Sequence, residues 1–301
     1  MKSKFPITAT FIDEISYDMP SSNWTEEQWS ADLDYMQEVG IDTVVFIRGG
    51  FYGKTLFPCE GFECWRKDDL VGHILREAAK RGMKVFMGLY ISDLRWNNGD
   101  YEGELEKNKV FMAEFLKRYG DISSFCGWYI PHEQCWGILN LGKTMRVLAE
   151  YCKKITPDKL VLISPYFKTL VTEREAFTPE EFYVEWDNLF SQFAQYVDIC
   201  AFQDGTAPIE ELADYFAVSK RFCDKYNVAL WANIETFKRD RHHNLPPIPF
   251  EILQRKLEIV EPYVENCMTF EFSHFLSPQS IYILARNLNT LYQNYYEKNN
   301  K

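Results

Sequence analysis

The chain has 301 residues, a formal charge of -11 and an ordinary apolar and charged content, but 16% of it is aromatic, with 23 Phe, 18 Tyr and 8 Trp. This length allows one large core, as in single-domain α/β barrels, and the acidic balance opposes nucleic acid or an anionic membrane as a partner, since either needs a basic surface. A neutral ligand fits better, with some of the surplus rings lining a cleft and most filling the core.

The N-terminus, MKSKFPITATFIDEIS, runs into strand-like sequence without a long apolar segment or a small-residue cleavage site. A cytoplasmic location is therefore expected, unless a leader has been removed. No run approaches the length of a membrane span. From there the chain alternates strand-like and helix-like segments through eight rounds. The expected strands are 7–15, 43–50, 84–92, 124–133, 159–167, 197–205, 229–236 and 267–275. Their continuous apolar character suits parallel strands covered by helices.

Helix signals lie between the strands. Thr25 and Gln28 have capping-box spacing, Trp29, Leu33 and Met36 form a stripe, and Gly40 is placed to end that helix. Over 68–82, Leu70, Val71, Ile74, Leu75 and Ala78 share a face, and Gly82 follows as a stop. Leu212, Tyr215, Phe216, Phe222 and Tyr226 mark a later helix, and Leu253, Leu257 and Val260 another before Pro262. Eight such pairs predict a (β/α)8 TIM barrel spanning 1–301. A doubly wound open sheet is the alternative, but FIDEISYDMPSSN lacks its glycine-rich phosphate loop. Three long loops, 51–67, 168–180 and 237–249, fall on the face where barrel active sites lie.

Eight scattered cysteines without a CxxC pair favour a reducing compartment, and only Cys59 and Cys64 are close enough in a loop for a local disulfide. No metal and no cofactor is expected.

The expected fourth and seventh strands end on ionisable groups, Glu133 in WYIPHE and Glu235 in LWANIET. A buried strand gains nothing from a carboxylate unless it is solvated, paired or used. With these two residues the chain resembles the clan A glycoside hydrolases, a barrel superfamily whose acid/base glutamate follows strand four and whose nucleophile follows strand seven. Its opening TFIDEIS and its PHE segment also resemble a bacterial glycosyl-hydrolase-like domain-of-unknown-function family (4434). The clan resemblance implies a carbohydrate substrate and a retaining mechanism, with Glu133 as acid/base and Glu235 as nucleophile. A retaining pair lies about 5–5.5 Å apart, an inverting pair about 6.5–9.5 Å.

One departure stands out. Many clan members carry Asn before the acid/base glutamate, whereas this chain has His132. Strand-end logic adds Asp13 or Glu14, only one of which should enter the pocket, and then Arg48, Tyr90, Gln203, Asp204, Asn233, Glu271 and His274 as substrate-binding candidates. Arg48 is placed to orient Glu235 or a sugar oxygen, or to pair with Asp13, Glu14 or Glu271. Trp136, Trp96, Tyr90 and Tyr166 are the rings expected to stack on a sugar, with Trp231 deeper in the core. Two alternatives compete with the glycosidase reading. One is a sugar-binding barrel that has lost catalysis. The other is a metal-dependent isomerase or hydrolase drawing on Glu133, Asp204, Glu235, Glu271 and His274, although no HxH or HExxH pattern occurs.

Overall fold

The computed structural model describes residues 6–16, 21, 23–92, 98–133, 139–167, 169, 177–205, 207–238 and 245–300. In chain order its elements are β1 (Ala9–Ile12), α1 (Glu26–Glu38), β2 (Thr43–Phe46), β3 (Gly50–Phe51), β4 (Lys54–Thr55), β5 (Glu63–Cys64), α2 (Leu70–Lys80), β6 (Lys84–Gly88), β7 (Tyr90–Ile91) and α3 (Tyr101–Tyr119). The second half holds β8 (Phe125–Ile130), α4 (Leu141–Ile155), β9 (Leu160–Ile163), α5 (Pro179–Phe193), β10 (Ile199–Gln203), α6 (Leu212–Tyr226), β11 (Ala229–Glu235), α7 (Phe250–Val260), β12 (Asn266–Phe270), α8 (Phe272–Phe275) and α9 (Ile283–Asn300).

Eight strands close into a parallel barrel in the order β1-β12-β11-β10-β9-β8-β6-β2. The fold is a single-domain (β/α)8 barrel, as the alternation of apolar runs and amphipathic segments predicts. β8 and β11 are its fourth and seventh strands, so Glu133 lies three residues beyond the one and Glu235 ends the other. The open-sheet alternative fails because β1 pairs with both β2 and β12.

The helix signals correspond to real caps. Thr25 and Gln28 form a reciprocal capping box on α1, and Trp29, Leu33 and Met36 are buried beneath it. Asp69 caps α2, whose buried face carries the expected five apolar residues.

Side chains sort by the two-residue period of a strand. Ala9, Phe11, Val45, Ile47, Phe86, Tyr129, Leu162, Ile199, Ala201 and Met268 pack inside the barrel. Their strand neighbours, including Ile12, Val44, Val85, Trp128, Val161, Phe202 and Ile234, pack against the helices. Trp231 joins the inner cluster as a half-buried core ring.

Segment 51–67 is not the plain loop its sequence implies. It folds back as β4 and β5, and with β3 and β7 makes a four-stranded sheet in the order β5-β4-β3-β7 beyond the ends of the second and third barrel strands. Cys59 and Cys64 in this segment are free thiols, Cys64 Sγ donating to Arg66 O at 2.9 Å. Burial pushes the Cys59 thiol up to about 11.

Candidate functional site

The strand period extends past the strand ends and divides the polar residues there into two sets. Asp13, Glu133, Gln203, Asn233 and Glu235 continue the inward positions of Phe11, Tyr129, Ala201 and Trp231. Glu14, His132 and Asp204 continue the outward ones. Hydrogen bonds follow this division.

In the inward set, Glu133 Oε1 accepts from the Tyr129 hydroxyl at 2.7 Å, and Arg48 Nη2 lies 3.7 Å from Oε2. Arg48 Nη1 is 3.9 Å from Asp13 Oδ2 and donates to Ser16 Oγ at 2.7 Å. Arg48 therefore serves Glu133 and Asp13, one of the ion pairs its sequence position allows. Burial pushes the Glu133 carboxyl above the ordinary range, opposed by the Arg48 charge and by hydrogen bonds from Tyr129 and Gln203, with the Asp13 charge adding a small upward push. A fifth of the Glu133 side chain stays exposed.

Ser164, after β9, organises the floor. Its carbonyl accepts from Gln203 Nε2 at 2.7 Å and its hydroxyl from Asn233 Nδ2 at 3.1 Å. Tyr166 forms a parallel bridge with Gln203 and is half-buried.

Glu235 is held through its backbone. Its N–H donates to Asp204 Oδ1 at 2.8 Å, and Asp204 Oδ2 pairs with Lys256 Nζ at 2.9 Å. Its carboxylate lies over Gly205, where any Cβ would collide with it. Gly205→Ala is therefore expected to displace the carboxylate, and any turnover that depends on Glu235 should fall by up to about a hundredfold, since a misplacement near 1 Å can cost that much. Thermal unfolding should be little changed; unaltered kinetics would show that Glu235 need not lie there.

The outward set does different work. His132 is fully buried, its Nε2 2.9 Å from Glu104 Oε1 on α3. Glu104 Oε1 also accepts from Ser92 N at 3.0 Å. The His132 ring thus turns to the helix layer and not to the pocket, where its sequence position predicts a substrate contact. Burial pushes Glu104 up, yet the His132 hydrogen bond and charge, with help from Ser92, leave it below the ordinary range.

Glu271 and His274 are also corrected. β12 ends at Phe270 rather than near 275; Glu271 is the N-cap of α8 and His274 lies within it, an i,i+3 pair with both residues buried. Glu271 Oε2 accepts from Asp13 N at 3.0 Å, and His274 Nε2 is 3.1 Å from Ser21 Oγ. Ser21 in turn bonds Glu14, whose other oxygen meets Arg66 Nη1 at 2.6 Å. Burial pushes Glu14 up to about 7 against the Ser21 hydrogen bond and the Arg66 charge. Asp13 and Glu14 thus go to opposite sides, as the strand period requires.

Tyr90 is buried as a support. Its backbone exchanges hydrogen bonds with Asn108, and its hydroxyl accepts from Gly53 N at 3.0 Å. Trp136 and Trp96, with His242 and His243 of the 237–249 loop, lie outside the described residues. Among the described residues no group of three His, Cys, Asp or Glu side chains is arranged to hold a metal.

The sequence reading missed Phe51 beside Arg48 and the ring stacked on it. The Arg48 guanidinium carbon lies 5.3 Å from the Phe51 ring centroid, and Phe51 stacks on Tyr52 with centroids 4.1 Å apart and planes at 12°. Tyr52 and Gly53 form the two-residue turn between β3 and β4, with φ of 47° and 86°. Such turns favour Asn-Gly, and a left-handed tyrosine costs about 1–2 kcal/mol.

Residues 7–282 match the family model described as domain of unknown function DUF4434. The chain belongs to this family. A structure described as a candidate alpha-L-fucosidase from Bacteroides thetaiotaomicron VPI-5482 is similar to this DUF4434 chain at 37% identity, with a TM-score of 0.92, covering 97% of this chain and 96% of that one. The DUF4434 barrel shares its fold, at 12% identity, with the endo-1,4-beta-D-mannanase of Thermotoga petrophila RKU-1, at a TM-score of 0.64 over 98% and 100% of the two chains. A GH18 chitinase from Pseudoalteromonas aurantia, also 12% identical, gives a TM-score of 0.60 over 97% and 99%. No curated protein matches the DUF4434 chain. Among the described residues no helix is long and apolar enough to cross a membrane.

Proposed function

We propose that this barrel is a retaining glycoside hydrolase in which Glu133 is the acid/base and Glu235 the nucleophile. The observation that carries the reading is the inward position of both carboxylates at the ends of the fourth and seventh strands, with Glu133 raised by burial and gripped by Tyr129 and Arg48. A carboxyl that keeps its proton above the ordinary carboxylate range is suited to general acid catalysis.

In the first step Glu133 gives its proton to the glycosidic oxygen as the C–O bond breaks, and the Glu235 carboxylate bonds the anomeric carbon. In the second step Glu133 takes a proton from water, the water oxygen bonds the same carbon, and the Glu235 ester is released. Gln203 and Asn233, fixed by Ser164, offer amide groups to sugar hydroxyls. The substrate is a neutral carbohydrate, and an α-L-fucoside is the first to try, given the 37% identical relative.

The test is hydrolysis of nitrophenyl glycosides, α-L-fucoside first, with proton NMR of the first anomer released. Release of the substrate's own anomer is expected. The opposite anomer first would overturn the two-step mechanism, and binding without turnover would leave a sugar-binding barrel instead.

A further inference from the structure

We infer that Tyr52, stacked on Phe51, is a platform for a second sugar ring of the substrate, adjoining the ring whose bond is broken. The inference rests on the glycosidase reading of the barrel mouth and extends it to a subsite.

The placement is continuous with the proposed acid/base, Glu133. Glu133 meets Arg48 at 3.7 Å, Arg48 lies over Phe51 at 5.3 Å, and Phe51 stacks on Tyr52. Tyr52 is 48% exposed, at the tip of a hairpin whose backbone is tied to the barrel rim. Its N–H donates to Ile91 O at 3.2 Å, and the next N–H, of Gly53, donates to the Tyr90 hydroxyl at 3.0 Å.

The residue type is the second observation. A left-handed turn position favours Gly or Asn, so a bulky ring there is an outlier. What the tyrosine adds is an amphipathic ring, which suits the apolar C–H face of a pyranose. Trp65, the other exposed ring on this small sheet, is less suited, because Lys54 Nζ sits 3.9 Å above it and its indole N–H donates to Glu14 O.

The test uses Glu235→Gln as a binding trap on a printed array of neutral mono- and oligosaccharides. Added to it, Tyr52→Asn should weaken oligosaccharide binding by about tenfold, the size of one stacking contact. Monosaccharide binding should hold and the melting temperature should hold or rise, since Asn accepts the left-handed conformation. Tyr52→Trp should keep oligosaccharide binding.

The platform is wrong if the Asn variant binds like its parent, if Trp loses as much as Asn, or if no oligosaccharide on the array is bound. Failure of the glycosidase reading looks different: binding would depend on Tyr52, yet the wild-type protein would leave the bound oligosaccharides uncut.

Discussion

Glu133→Gln is expected to lower kcat/KM for a glycoside with a sugar or alcohol leaving group by about 10²–10⁴-fold, the usual contribution of a positioned acid. For a dinitrophenyl glycoside the drop should be far smaller, because that leaving group departs without a proton. Glu235→Gln should abolish both reactions, since no activated leaving group replaces a nucleophile. Equal losses on the two substrates in the Glu133 variant would sink its assignment as the acid.

The pH profile provides an independent reading of the same residue. Glu133 is raised by burial against the pull of Arg48, Tyr129 and Gln203, so its acid form persists above the ordinary carboxylate range. Activity on the sugar leaving group should therefore fall as pH rises through that raised value. The alkaline limb should vanish for the dinitrophenyl glycoside in Glu133→Gln, where no proton is delivered. Isosteric replacement keeps the hydrogen bond from Tyr129 available, so these losses report chemistry rather than collapse of the floor.

Much of this architecture was legible in the sequence for a specific reason. Strands buried on both faces read as continuous apolar runs, and the carboxylates that interrupt such runs stand out. The period-two rule also anticipated that Asp13 and Glu14 would part. What could not be read were contacts between distant segments. Arg48 meets Glu133 across 85 positions of chain by their numbers, and Lys256 meets Asp204 from α7, three elements after β10. Local strand endings were equally hidden. Treating 267–275 as one strand aimed Glu271 and His274 at the mouth, whereas the start of α8 at Phe272 turns them into a buried pair. The sheet of β3, β4, β5 and β7 escaped because two-residue strands carry no periodic signal and the turn at Tyr52-Gly53 lacks the usual Asn.

The outward turn of His132 yields the largest expected effect on stability. His132→Ala removes the partner of a fully buried carboxylate, and breaking a buried pair costs about 3–5 kcal/mol. Urea unfolding at neutral pH should show that loss. Its pH dependence follows from the direction of the Glu104 shift. Held below the ordinary range in the native protein, Glu104 contributes stability above its unfolded value of 4.5, and loses it as pH falls through the depressed folded value. Without His132, burial acts on Glu104 with less opposition, so the variant gains stability on acidification as the carboxyl protonates. The gap between wild type and variant should therefore be widest near neutrality and should narrow below the unfolded value. The double change His132→Asn, Glu104→Gln should recover most of the loss, because two neutral amides can replace the pair without leaving a buried charge. A gap independent of pH, or no recovery in the double variant, would show that the histidine contributes through packing alone. Since His132 directly precedes Glu133, restoring the fold in the double variant should also restore the register of the proposed acid, and with it most of the turnover.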